Sequence, residues 1–129
     1  MMPRLESDPL ELFLAAATGH LENAKPVWKK EVSVSVVLTS RGYPGEITTG
    51  HPIEGLDALK HDQVRVFHAG TAVVDGKLVT AAGRVLTVNA CAPNRAKAMQ
   101  RVYGAVEKIR FEGMHYRRDI GAAEDALAH

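Results

Sequence analysis

The dipeptide Asp75-Gly76, set between two short apolar runs within residues 66–86, constrains this chain more than any other feature. Asp-Gly accepts the positive φ angles of a type I′ turn, whose twist matches antiparallel strands. A two-residue turn also fixes register, so the two arms return side by side. The loops at their outer ends, Phe67-His68-Ala69-Gly70-Thr71 and Ala82-Gly83-Arg84, are therefore expected at the same end of the sheet. A histidine, a threonine, an arginine and two glycines gathered there would wall a site for an anionic or polar ligand.

The rest of the chain supplies strands and helices around that hairpin. Residues 32–39 alternate, with Val32, Val34, Val36 and Leu38 on one face and Ser33, Ser35 and Thr39 on the other, the pattern of a half-buried strand. Further strands are expected at 64–67 and 85–90. Residues 40–59 hold many turn residues, and so long a stretch is expected to contain short strands or turns of its own. Asp8 as a cap, Pro9 at the first helical position and Glu11 in a capping-box arrangement open a short helix that Gly19 ends. Its stripe, Leu10, Phe13, Leu14 and Ala17, must pack on something. A longer helix starts at Pro93 or Asn94 and runs through Ile109, burying Ala98, Val102, Ala105 and Ile109. Residues 119–127 are expected to add a last helical turn or two. The class is α+β: a small antiparallel β-rich domain flanked by an N-terminal helix and one longer C-terminal helix.

Bulk properties close off several functions. A net charge of +1 gives no general attraction to nucleic acid or acidic lipid. No apolar run approaches the roughly 20 residues needed to cross a bilayer, and Pro3, Arg4, Glu6 and Asp8 stand where a signal peptide needs an apolar core, so a cytoplasmic location without membrane contact is expected. The single cysteine, Cys91, excludes an internal disulfide, and with no base beside it in sequence it reads as an inert thiol. The six histidines and the scattered Glu54, Asp57 and Asp62 show no metal-ligand spacing. Gly-x-x-x-x-Gly-Lys-Ser/Thr and Gly-x-Gly-x-x-Gly phosphate loops are missing, as is a Ser-His-Asp order.

Among the remaining residues, Gly83-Arg84 is the sharpest pair. Glycine lets backbone amides approach an anion, and a guanidinium grips phosphate or carboxylate with two parallel hydrogen bonds. His68 can hold a substrate or move a proton, or simply bond to backbone; Thr71 can add a hydroxyl or satisfy a turn. Tyr43-Pro44-Gly45 reads as a turn with a tyrosine on its rim. Residues 93–118 carry Arg95, Lys97, Arg101, Lys108, Arg110, Arg117 and Arg118 against Glu107 and Glu112. A solvated helix face explains this better than nucleic acid; a freestanding β module binding an anion or nucleic acid through 93–118 is the alternative reading. The residues alone provide no complete catalytic set.

Five motifs occur in order: Pro3-Arg4-Leu5-Glu6-Ser7-Asp8-Pro9-Leu10-Glu11-Leu12, Gly42-Tyr43-Pro44-Gly45, Phe67-His68-Ala69-Gly70-Thr71, Gly83-Arg84-Val85-Leu86 and Arg117-Arg118-Asp119-Ile120-Gly121. Together they resemble the C-terminal region of glycinamide ribonucleotide synthetase, the phosphoribosylamine–glycine ligase of the ATP-grasp superfamily. The resemblance implies a C-terminal domain of the single-hybrid, barrel-sandwich type. It also implies an ATP-dependent carbon–nitrogen ligase of purine (IMP) biosynthesis that joins glycine to 5-phosphoribosylamine through an acyl phosphate. In such enzymes ATP and magnesium sit mainly in domains upstream, beyond an Arg-Phe-Gly-Asp-Pro-Glu signature that would precede Met1 and is not in this chain. On that basis residues 1–30 are a helix and connector at the edge of the ATP-grasp core, residues 31–129 are the C-terminal ligase domain, and the upstream domains are its partner. The fragment alone is expected to be inactive, with no cofactor, metal or catalytic residue placed on it. Gly83 and Arg84 match the glycine–arginine loop that faces the cleft and become candidates for the phosphoribosylamine phosphate, with His68 and Thr71 on the adjacent loop as support.

Overall fold

In the computed structural model, which describes residues 2–60 and 62–122, Asp75 and Gly76 take φ values of 48° and 74°. Both lie in the left-handed region that a type I′ turn requires. The turn joins β3 (Thr71–Val74) to β4 (Lys77–Thr80) as a two-stranded sheet in the expected register, Val74 opposite Lys77 and Thr71 opposite Thr80. The larger sheet has three strands, β1 (Val32–Thr39), β2 (Val64–His68) and β5 (Arg84–Ala92). β5 runs in the middle, antiparallel to both neighbours.

Register assigns the two faces of this sheet. Val34, Ala90 and Val64 form one cross-strand row, and Val36, Val88 and Val66 the next. Helix α2 (Arg95–Val106) covers these rows with Ala98, Val102, Ala105 and Val106 buried, and Ile109 is buried just beyond its end. Alanines at two of those positions let helix and sheet approach closely, and each fully buried valine or leucine contributes about 1.5–3 kcal/mol over its exposed state. Asn94 caps α2 by accepting from Lys97 N at 2.9 Å, which settles where the helix starts.

The opposite face is mainly polar, with Val37 and Phe67 as exposed apolar members. Its Asn89 is only 1% exposed, and its amide nitrogen lies 2.8 Å from the hydroxyls of Ser33 and Ser35, so the buried amide is satisfied. A 3-10 turn, Met2–Arg4, packs over this end of β1 and β5.

Helix α1 (Pro9–Ala17) has the punctuation read from sequence. Asp8 accepts from Leu10 N at 2.8 Å, though no bond returns from Glu11 to Asp8 among the described residues. At the other end Gly19, at φ 76°, lets His20 N reach Ala15 O at 2.8 Å, a Schellman closure. None of its residues is buried, and Leu10, Phe13 and Leu14 are 71%, 65% and 60% exposed. The expected turns within 40–59 include the 3-10 turn Leu56–Leu59 and bridges from Pro52 to Val79 and from Glu54 to Arg110. A turn closes at Ala122 N to Asp119 O, and the rest of the expected terminal helix lies outside the described residues.

Candidate functional site

Between β1 and β5 the ladder slips by one residue. Leu38 faces Leu86, yet Thr39 faces Arg84, leaving Val85 extra on β5 as a β-bulge. Val85 and Leu86 are both fully buried, and Arg84 is exposed beside Thr39 on the polar face. Two core side chains in succession thus shift the phase of the strand and send the arginine outward.

The loop before Arg84 is tied down on two sides. Buried Ser40 donates from its N to Gly83 O at 2.8 Å and from its hydroxyl to Ala82 O at 3.0 Å. From the other side, Ala69 N and Gly70 N both donate to Val85 O at 3.0 Å, and Ala81 N to Gly70 O at 2.8 Å. Gly70 is required by this approach, because a Cβ there would sit 2.5 Å from that of Ala82. The loops bearing His68 and Arg84 therefore do adjoin, as the tight turn predicted.

Their side chains part company. His68 lies opposite Leu86 in the row that faces α2, and its Nδ1 is 3.0 Å from the Thr71 hydroxyl. Arg84 lies on the other face. His68 and Thr71 form one pair, Gly83 and Arg84 another, and a cavity of about 510 Å³ beside Ala69, Ala82, Gly83, Arg84 and Thr87 is not lined by the first pair. The division follows from the bulge, which sets Arg84 out of phase with the histidine's row.

A second cavity of about 400 Å³ borders Arg84 and brings in residues that were not among the site candidates read from sequence: Thr39, His115, Tyr116 and Arg117. The segment 115–120 is held there by exchanged bonds between Thr39 and His115 (2.9 and 3.0 Å) and by the Tyr103 hydroxyl, which accepts from Ile120 N at 2.9 Å. Arg117 is bidentate to Asp119, Nε to Oδ1 at 2.9 Å and Nη2 to Oδ2 at 2.5 Å. That hydrogen-bonded pairing pushes the Asp119 carboxyl below its ordinary pKa and the Arg117 guanidinium above its own. Arg84, by contrast, forms no ion pair with a carboxylate among the described residues. An uncompensated guanidinium facing a cavity is a ready anion site.

Four of the basic residues of 93–118 have partners within the chain. Arg101 donates to Cys91 O, Lys108 pairs with Asp62, Arg117 with Asp119, and the Arg118 guanidinium lies 5.4 Å from the Tyr116 ring centre. Among the described residues no group of three or more His, Cys, Asp or Glu side chains converges as a metal site would need, and no helix is long and apolar enough to cross a membrane.

The family described as phosphoribosylglycinamide synthetase, C domain, matches residues 33–123. A phosphoribosylamine–glycine ligase of Caulobacter vibrioides is 47% identical over 94% of this chain and 29% of its own length. A trifunctional purine biosynthetic protein adenosine-3 of Gallus gallus is 43% identical over 94% of the chain and 12% of its own length. The crystal structure of a phosphoribosylamine–glycine ligase from Thermotoga maritima superposes with a TM-score of 0.69 at 35% identity, covering 85% of this chain and 27% of that one. The chain thus spans under a third of the length of the relatives it matches. Fold, ordered motifs and sequence agree, and the chain belongs to the phosphoribosylglycinamide synthetase C-domain family.

Proposed function

We propose that this chain is the C-terminal, substrate-facing part of a phosphoribosylamine–glycine ligase and that Arg84 grips the phosphate of 5-phosphoribosylamine. The observation that carries this reading is Arg84 itself: turned out of the core by the bulge at Val85, unpaired by any carboxylate of the described residues, and bordering a cavity next to Gly83. A guanidinium offers two parallel donors to a phosphate. His68 and Thr71 support the site indirectly, because their loop donates two amides to the carbonyl of Val85, next to Arg84. Holding the phosphate orients the sugar's amine toward glycine, whose carboxylate is activated elsewhere in the enzyme.

ATP and magnesium supply that activation in the reaction as a whole. The described residues do not fit the metal, since no set of three ligating side chains converges. On this reading both belong with the part of the ligase that lies outside this chain, and α1 docks there through Leu10, Phe13 and Leu14, which are largely exposed.

The test is a chimera in which this chain replaces the matching C-terminal portion of the Caulobacter vibrioides relative. The chimera is expected to release ADP in a manner dependent on both glycine and phosphoribosylamine, whereas the purified chain alone is not. A well-folded chimera without turnover, or full turnover by the chain alone, overturns the reading.

A further inference from the structure

Gly83 is covered rather than open on one side. A Cβ placed on it would lie 2.5 Å from Tyr43 Cδ2, 3.2 Å from Cε2 and 3.5 Å from Cγ. Real Cβ atoms do not approach a ring that closely, so the Tyr43 ring rests directly on the Gly83 main chain, in space only glycine leaves. Tyr43 is itself anchored: its N bonds Ser40 O at 3.3 Å, and Gly45 N bonds Gly42 O at 2.7 Å across the same turn. Gly42, at φ 86°, has its missing side chain's place taken by the Glu46 carbonyl. Ser40 meanwhile bonds the carbonyls of both Ala82 and Gly83. Residues 40–45 therefore grip the residues before Arg84 by two hydrogen bonds and one aromatic ring.

The ring also borders both cavities that Arg84 borders, the 400 Å³ space beside His115 and Arg117 and the 510 Å³ space beside Thr87. Tyr43 is 45% exposed, more than a side chain needed only for the core would be. We infer that Tyr43 is a positioning residue for Arg84: by resting on Gly83 it fixes the peptide from which the arginine departs, and so sets where the guanidinium meets its anion. The inference rests on the phosphate-binding reading of Arg84 above.

The experiment uses the chimeric ligase and compares Tyr43→Ala, Tyr43→Phe, Gly83→Ala, Arg84→Ala and the Tyr43→Ala/Arg84→Ala double variant. A displaced binding group loses rate steeply even for shifts near 1 Å. Tyr43→Ala is expected to raise KM for phosphoribosylamine about tenfold while leaving KM for glycine within about twofold. Tyr43→Phe keeps the ring and is expected to match the parent. Gly83→Ala displaces the ring and is expected to behave as Tyr43→Ala does. The double variant is expected to be no worse than Arg84→Ala, because both changes remove one function. A purely structural tyrosine would instead lower the melting temperature and leave the ratio of the two KM values unmoved, which overturns the inference. Arg84→Ala raising KM while Tyr43→Ala does not sinks the positioning role alone. Arg84→Ala without effect sinks the phosphate-binding reading and the inference together.

Discussion

Thr39 faces Arg84 across β1 and β5, although one step earlier Leu38 faces Leu86, and the residue between, Val85, is fully buried. The bulge places two consecutive β5 side chains in the core and returns the strand to phase with its arginine on the polar face. Val85→Ala is accordingly expected to cost about 2–3 kcal/mol, from lost burial and the cavity left behind. Val73→Ala, at a position 71% exposed, is expected to change stability by less than about 0.5 kcal/mol. Urea unfolding of the two variants checks the contrast.

Lysine is a poor replacement at the same site. It offers a point charge where arginine offers a planar fork. Arg84→Lys in the chimeric ligase is expected to raise KM for phosphoribosylamine, with KM for glycine unchanged, and steady-state kinetics with each substrate varied in turn measures it.

Helix α1 holds its shape by its caps and gives no side chain to the core. Replacing Leu10, Phe13 and Leu14 together with glutamine is expected to leave the melting temperature of the isolated chain nearly unchanged, because those side chains are already in solvent. The same change is expected to abolish concentration-dependent self-association, which an exposed apolar stripe promotes. Sedimentation velocity across a concentration series reads the second effect. In the chimera, the triple variant is expected to weaken joining to the rest of the enzyme and reduce turnover.

Asp119 titrates below its ordinary value because Arg117 hydrogen-bonds its charged form. A depressed folded-state pKa means that the pair's contribution is present above the unfolded carboxylate's value, about 3.9, and is lost as pH falls through the lower, folded value. NMR titration of the Asp119 carboxyl is therefore expected to show a midpoint below about 3.9, with the Arg117–Asp119 pair intact across neutral pH. Arg117→Ala is expected to raise the midpoint toward the ordinary range, since the largest cause of the lowering is removed while a backbone hydrogen bond to the carboxylate remains.

Much of the fold was legible because it is written in local pattern. Asp75-Gly76 specified a type I′ hairpin, Val32 to Leu38 alternated with the serines, and Asp8 and Gly19 marked the ends of α1, while the start of α2, left open between Pro93 and Asn94, falls at the Asn94 cap and its end comes at Val106, three residues short of Ile109. The adjoining loops at His68 and Arg84 followed from the two-residue turn. What the pattern did not carry was the face on which each side chain emerges. Val85-Leu86 looks like two ordinary strand residues, and only pairing with β1 reveals the extra residue that turns Arg84 away from the row of His68. His115 was hidden, and Arg117, though part of a recognised motif, gave no sign that it lies beside Arg84, because the segment that carries both returns to the site through His115, which bonds Thr39, 76 positions earlier. Tyr43 had a signal, the glycines on either side of Tyr43-Pro44, but its contact with Gly83 is a tertiary event.

The most direct measurement is a crystal structure of the chimeric ligase with ribose 5-phosphate, which carries the same phosphate on the same sugar and lacks the reacting amine. The expected result is a phosphate oxygen within about 2.7–2.9 Å of the Arg84 guanidinium, in a cavity walled by Tyr43. A phosphate seated elsewhere, with Arg84 left in solvent, would contradict the assignment of this face as the substrate side of the enzyme.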